Sequence, residues 1–235
     1  MMNRAFLFGM LLLVAAPAVA DSWANGISLY SDRVRRGISQ TDGPGVAGEI
    51  KYNADAGWYA GFWAGTVNYD NVGGESVELL PFVAYDHKFG GFTAEIGVLH
   101  HSFLGTNRGI NYDEAEFTLT HKLGKGSLSG AVYYRLRNQD GGRSWYWSGD
   151  ARFPLGSLEG AKVSLGLHGG LYRDPDRPLD NYSDGSLGLF ATKGRAIFGV
   201  GVSDSSLLRR STLPGSSDAG KRIYVSFTRM FRRSH

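Results

Sequence analysis

"YDEAEFTLTHKL", residues 112–123, alternates with a period of two. Ala115, Phe117, Leu119, His121 and Leu123 fall on one side of an extended chain, and Tyr112, Glu114, Glu116, Thr118, Thr120 and Lys122 on the other. Successive side chains of a strand point to opposite faces, so this stretch reads as a strand with one largely apolar and one polar face. The next stretch, "SLSGAVYYRLRN" (127–138), repeats the pattern, with Leu128, Gly130, Val132, Tyr134 and Leu136 opposing Ser129, Ala131, Tyr133, Arg135 and Arg137. Gly124-Lys125-Gly126 between them is a tight turn, which makes the pair an antiparallel hairpin.

Extending the same reading outward gives about twelve strands, near 23–38, 45–54, 58–69, 76–88, 92–104, 112–123, 127–138, 145–154, 162–173, 181–192, 196–204 and 221–231. The parity of 58–69 and 76–88 stays open, because Trp58, Tyr59, Phe62 and Trp63 populate both faces. No stretch carries the apolar spacing of an amphipathic helix. The connections alternate in length. Asp55-Ala56-Gly57, Phe89-Gly90-Gly91, Gly124-Lys125-Gly126 and Lys193-Gly194-Arg195 are short and contain glycine, whereas "DNVGGE", "GTNRGIN", "QDGGRS", "DPDRPLDN" and "SSLLRRSTLPGSSDAG" are longer and polar. "LGSLEGA" (155–161) is too long for its place on the short-turn side.

The first twenty residues bear on the compartment. Arg4 precedes an almost wholly apolar run from Phe6 to Ala16, and Ala18-Val19-Ala20 fits the small-x-small rule. This is the pattern of a signal peptide over 1–20, cleaved before Asp21, leaving one domain over 21–235. The run is shorter than the roughly 20 residues of a helical membrane span. The 235 residues contain no cysteine, which excludes a disulfide scaffold and a thiolate metal site. The 25 basic and 22 acidic residues are scattered in twos and threes, so with the export signal they argue against nucleic acid as a partner.

Alternation alone fits a soluble barrel as well as a membrane one. Export, the asymmetric connections, aromatics near strand ends (Trp23, Trp58, Tyr69, Tyr112, Trp145, Tyr172, Phe231) and an apolar face on nearly every strand favour the membrane. Hydrocarbon leaves no backbone amide a water partner, so membrane-crossing strands must close on themselves. The expected fold is all-β: a closed antiparallel transmembrane β-barrel of about twelve strands, with short periplasmic turns and longer external loops.

Residues 29–67, "LYSDRVRRGISQTDGPGVAGEIKYNADAGWYAGFWAGTV", then become specific. Ser31, Asp32, Arg36, Gly37, Ser39, Gln40 and Thr41, followed by Gly57, Tyr59, Gly61 and Trp63, resemble the opening of the TorF family of porins, a proteobacterial conserved hypothetical family of outer-membrane β-barrels. "VELLPFVAYDHKFGGFTAEIGVLHHSFLG" and "NYDEAEFTLTHKLGKGSLSGAVYYR" look like the family's middle strands. The chain departs from the pattern at Val34, where the family often has an aromatic, and in its last residues, "YVSFTRMFRRSH". The resemblance implies a porin-like outer-membrane protein and names no solute.

The lumen-facing candidates are Glu49, Lys51, Glu95, Glu114, Glu116 and Lys122 from earlier strands, and Arg135, Arg137, Asp150, Arg152, Lys162, His168, Asp184 and Arg222 from later ones. Asp32 and Arg36 are expected to line or cap the mouth together, at the outer end of the first strand; a structural hairpin contact is the plainer alternative. Facing rows of acid and base would set up a transverse field that passes small polar solutes. Alternatively, neighbouring strands simply pair their charges and fill a narrow barrel.

The expected function is passive diffusion of small hydrophilic solutes. The alternative is a non-conducting structural or interaction barrel. A third reading, an outer-membrane lipid hydrolase, rests on His100 and Ser102 on one face with Glu114 or Glu116 on the next strand, but those two glutamates have the opposite parity. No enzyme, catalytic residue, cofactor or metal site is expected, and Asp174, Asp176 and Asp180 read as a solvated loop. The partners expected are outer-membrane lipid and lipopolysaccharide, the barrel-assembly machinery during insertion, and the solutes.

Overall fold

The computed structural model describes residues 22–54, 56–69, 74–105, 110–136, 142–207, 211 and 213–234. The signal-peptide segment 1–20 and Arg137 lie outside them. Twelve antiparallel strands close into a barrel. They are β1 (Ser22–Tyr30), β4 (Gly45–Asn53), β5 (Trp58–Tyr69), β6 (Gly74–Phe89), β7 (Phe92–Leu104), β8 (Tyr112–Leu123), β9 (Gly126–Arg135), β10 (Ser144–Leu158), β11 (Ala161–Arg173), β12 (Tyr182–Lys193), β13 (Ala196–Ser205) and β14 (Arg222–Ser234). Each pairs with its sequence neighbour, and β1 closes the ring by pairing with β14 along its whole length, from Ser22↔Ser234 to Tyr30↔Ser226. No α-helix occurs among the described residues, and none of the helical turns is long or apolar enough to cross a membrane.

The strand faces follow the period of two. Outward positions are apolar and exposed, among them Ile27, Ile50, Phe62, Ile96, Phe117, Leu187, Val200 and Ile223, the last 76% exposed. Inward positions are buried and mostly polar or aromatic. This settles the two open parities: on β5 Tyr59, Val67 and Tyr69 turn inward while Trp58 and Phe62 turn out, and on β6 Glu78, Leu80, Phe82 and Ala84 turn inward. It also corrects the aromatic belt. Trp23, Trp58, Trp145 and Phe231 are outward, but Tyr69, Tyr112 and Tyr172 have the opposite parity and are buried inside the barrel.

Two departures from the expected strands have local causes. β10 runs to Leu158 because a β-bulge between Pro154 and Gly156 absorbs the proline, which has no N–H to give to the ladder. The link "LGSLEGA" is therefore mostly strand, and Glu159-Gly160 alone forms the turn, with φ of 49° and 79°. Every short turn and both ends of the barrel sheet lie at one end, the long connections at the other. The predicted strand 23–38 is not one strand. β1 stops at Tyr30, and the chain enters a separate two-stranded hairpin, β2 (Val34–Arg35) and β3 (Ile38–Ser39). Arg36 (φ 50°) and Gly37 (φ 71°) make its two-residue turn, the left-handed geometry that a tight hairpin needs.

An outward face that meets hydrocarbon makes Ile96→Arg destabilising by about 2–4 kcal/mol, whereas a water-facing site would tolerate it within about 0.5 kcal/mol. Denaturant titration of the detergent- or bilayer-folded protein separates the two. A closed ladder also predicts that unheated protein migrates differently from boiled protein on a detergent gel.

Candidate functional site

The β2–β3 hairpin folds into the barrel at its long-loop end, and its three arginines converge on acids from the wall. Arg33 Nη2 donates to Glu78 Oε2 at 2.5 Å, and its guanidinium lies 4.5 Å from the Trp63 ring. Arg35 donates to Tyr112 Oη at 3.1 Å and to Glu114 Oε2 at 3.5 Å, with Glu78 Oε1 3.7 Å away. Arg36 Nη2 donates to Glu114 Oε1 at 2.5 Å, and its guanidinium sits 4.6 Å from the Tyr133 ring and 4.4 Å from the Tyr146 ring. His101, with no exposed surface, hydrogen-bonds Glu78 Oε1 through Nδ1 at 2.7 Å and stacks on Tyr112. Three guanidinium groups thus share two buried carboxylates, one of them, Glu114, only 1% exposed.

The hairpin's own bonds hold that shape. Ser39 Oγ donates to Asp32 Oδ1 at 2.5 Å, the Asp42 N–H donates to Ser39 Oγ, and the Arg33 N–H donates to Thr41 Oγ1. Gln40 is tied to the wall, accepting from Tyr69 Oη through its side chain and from the Asn68 N–H through its backbone. At the tip a Cβ on Gly37 would stand 2.5 Å from Asp184 Cβ and 2.8 Å from Ser205 Cβ, so glycine is needed where the turn abuts the far wall. The hairpin therefore touches β5, β6, β8, β9, β10, β12 and β13. Above it, Ile38 packs in an apolar cluster with Leu207 and Leu213 and forms a β-bridge with Ala219, so the last long loop closes over it.

This geometry revises two expectations. On the predicted strand 23–38, alternation would put Arg33 and Arg35 on one face and Arg36 on the other; the turn at Arg36-Gly37 instead brings all three to the same acids. Asp32 and Arg36 do not cap the mouth together: Asp32 holds Ser39 and lies 3.9 Å from Arg222 Nη1, while Arg36 holds Glu114. Arg222 also donates to Asp42 at 3.2 Å.

The other wall residues fall on inward positions but do not form two facing rows of charge. Glu114 stands opposite Arg135 in the ladder, yet it is taken by the hairpin, and the Arg135 guanidinium lies 3.7 Å from the Tyr112 ring. On the opposite side of the barrel, His168 bridges Asp150 (2.8 Å) and Asp184 (3.1 Å), and Tyr146 Oη donates to Asp184 Oδ2 at 3.0 Å. Tyr146 thereby joins this cluster to Arg36. Arg152 donates to Ser164 and covers the Phe190 ring. Lys51 is buried over the Tyr59 ring, and Glu49 is half-buried on the same strand. Lys122 and Lys162 are exposed at the short-turn end. Glu95 and Glu116 are buried on β7 and β8, and neither carboxylate oxygen of Glu116 has a hydrogen-bond partner among the described residues.

Sequence reasoning missed Glu78, His101, Arg33 and Arg35. The unresolved parity of β6 hid Glu78, and nothing in the local pattern marks a hairpin that folds inward. In the 174–181 connection, Asp174 Oδ1 accepts the Asp176 and Arg177 N–H groups and Asp180 accepts from Ser211, so these acids brace loops. Among the described residues no group of three or more His, Cys, Asp or Glu side chains is placed to hold a metal ion.

Residues 15–204 match a family model described as "Bacterial protein of unknown function (Gcw_chp)"; the TorF name is not the one that the match carries. No curated protein matches the chain. Solved structures do. A KdgM porin in complex with disordered oligogalacturonate aligns with a TM-score of 0.55 at 14% identity, over 89% of this chain and 99% of that one. A NanC porin aligns with a TM-score of 0.54 at 13% identity, again over 89% and 99%. An outer-membrane channel from Pseudomonas putida F1 aligns with a TM-score of 0.50 at 10% identity, over 92% and 97%. At such identities the likeness is one of fold: a barrel of the outer-membrane porin type.

Removing one member of a buried ion pair strands the other charge at a cost of about 3–5 kcal/mol. Glu114→Ala is therefore expected to release the hairpin. In this cysteine-free chain, a single cysteine in place of Val34 reports it: its thiol labelling should accelerate by on the order of a hundredfold, at about 1.4 kcal/mol per factor of ten. An unchanged rate would show that the ion pairs do not hold the hairpin in place.

Proposed function

The chain belongs to the Gcw_chp family of bacterial proteins of unknown function, and from that premise we propose that it is an outer-membrane porin through which small hydrophilic solutes diffuse passively. The observation that carries this reading is the pair of faces on a closed ring: polar and ionisable side chains inward, apolar side chains outward, on strands that leave no open edge. The likeness of Arg36-Gly37-Ile38-Ser39-Gln40 to the TorF porins agrees with it. In this reading residues 1–20 export the chain, the short turns face the periplasm, the barrel-assembly machinery inserts it, and lipid and lipopolysaccharide surround it.

The hairpin sets what passes. It crosses the outer mouth and neutralises Glu78 and Glu114 with its own arginines. Deeper in the lumen, Glu95 and Glu116 face inward on β7 and β8, and acids that line a pore favour cations over anions. The same hairpin supports a second reading, a non-conducting barrel, because it spans the lumen and is latched by buried charge.

Bilayer recordings separate the two. The parent protein is expected to show small, cation-selective openings. Arg33→Ala with Arg36→Ala should enlarge the unitary conductance severalfold, and Glu116→Gln should reduce cation preference without changing the strand fold. If neither the parent nor the double variant opens at any voltage or salt, the barrel is structural and the porin reading falls.

A further inference from the structure

Polar groups on the outward face stand out against an apolar background, and one set lies where β7 meets β8. His100 and Asp113 are directly opposite in the ladder, and both project outward. His100 Nδ1 is 2.7 Å from Asp113 Oδ1, with 48% and 58% of the two side chains exposed. Ser102 is two residues along β7 and shares their face, roughly 7 Å from His100 along the strand. Its hydroxyl has no hydrogen-bond partner among the described residues. The surroundings are apolar: Val98 and Leu104 on β7, Leu79 opposite Ser102 on β6, and Ala115 on β8.

The depth of this set matters. Ala115 pairs with Tyr134, which packs against Trp145 at 4.3 Å, and Trp145 stacks on Trp147. These aromatics mark an outer belt, and Asp113 lies two residues beyond it toward the long-loop end. In the outer-membrane placement proposed above, on which this inference rests, the belt lies at headgroup level and the set faces the headgroup side of the outer leaflet.

We propose that Ser102, His100 and Asp113 form an outward-facing esterase site that cleaves acyl esters of membrane lipids. Asp113 is a positioning residue: it accepts the Nδ1–H bond and leaves Nε2 of His100 as the free base. Nε2 takes the Ser102 proton while Oγ attacks the ester carbonyl carbon. The carbon–oxygen bond to the leaving alcohol breaks, and that oxygen takes the proton from Nε2. Water then attacks the acyl-serine, with Nε2 taking its proton and returning it to Ser102 Oγ as the fatty acid leaves. The step needs only ester and water. Glu114 and Glu116, the carboxylates that the sequence suggested for this role, face the lumen; Asp113 has the parity they lack.

The test uses the full barrel folded in detergent, with folding read by heat-modifiable migration. It is offered phosphatidylcholine mixed micelles in one arm and lipopolysaccharide in the other, and fatty acid release is measured alongside labelling by a fluorophosphonate. The proposal expects labelling of the parent, none of Ser102→Ala, and a drop in release by a factor of about 10³ or more for Ser102→Ala or His100→Ala. Asp113→Asn should lower release and shift its pH profile, which a merely structural surface pair would not do. The arm that releases acid identifies the lipid. A folded parent that neither labels nor releases acid from either lipid overturns the proposal and leaves the porin reading intact. Release that survives in Ser102→Ala also overturns it. A parent that stays soluble without detergent overturns the membrane reading itself.

Discussion

The pairing of β1 with β14 is the constraint from which the rest follows. A sheet of this length with open edges would expose a row of unpaired amides, in water a template for aggregation and in hydrocarbon several kcal/mol per group. Closure removes the edge and in doing so divides every strand into an inside and an outside. With that division made, each side chain has one of two solvents, and the period of two in the sequence becomes a choice of environment. The bulge at Pro154 shows how strictly the ladder is kept: a residue unable to donate is accommodated by a one-residue shift, and pairing resumes at Gly156.

Closure also creates a problem that the hairpin answers. A barrel of twelve strands lies between the small barrels that wall side chains fill and the wide aqueous porins. The first long connection turns in and occupies that space with charge rather than hydrocarbon. Burying five ionised groups would be costly if they were arranged as isolated pairs. Here each carboxylate receives more than one donor, the aromatic rings of Trp63, Tyr133 and Tyr146 cover the guanidinium faces, and His101 takes up a remaining acceptor of Glu78. The non-glycine residue at positive φ in the turn, Arg36, is also the one with the shortest bond to Glu114. Local backbone strain and a buried ion pair thus coincide, as expected where structure beyond the turn dictates the turn.

The two faces divide the possible functions between them. Passage of solute concerns the inward charges and the hairpin that has claimed some of them. Chemistry on lipid concerns the outward set at His100, which shares a strand with His101 but not an environment: one histidine is fully enclosed with Glu78, the other exposed with Asp113. A single residue step along a strand separates the two roles.

Much of this was legible in the residues. Alternation in 112–123, the glycine turns and the uneven connections determined the barrel strands and their count, because a strand's period and a tight turn's backbone are local properties. β5, β7 and β8 were read to the residue. The charges on clean strands take inward positions by the same alternation. What only the tertiary structure decided is which of these charges meet. Arg33, Arg35 and Arg36 fall on two faces of one predicted strand, and their partners Glu78 and Glu114 lie 45 and 78 residues further on for the closest contacts. Partners so distant come together only after the ring has closed and given the hairpin an interior to enter, and no local pattern carries that information. Period and turn belonged to the sequence; the site belonged to closure.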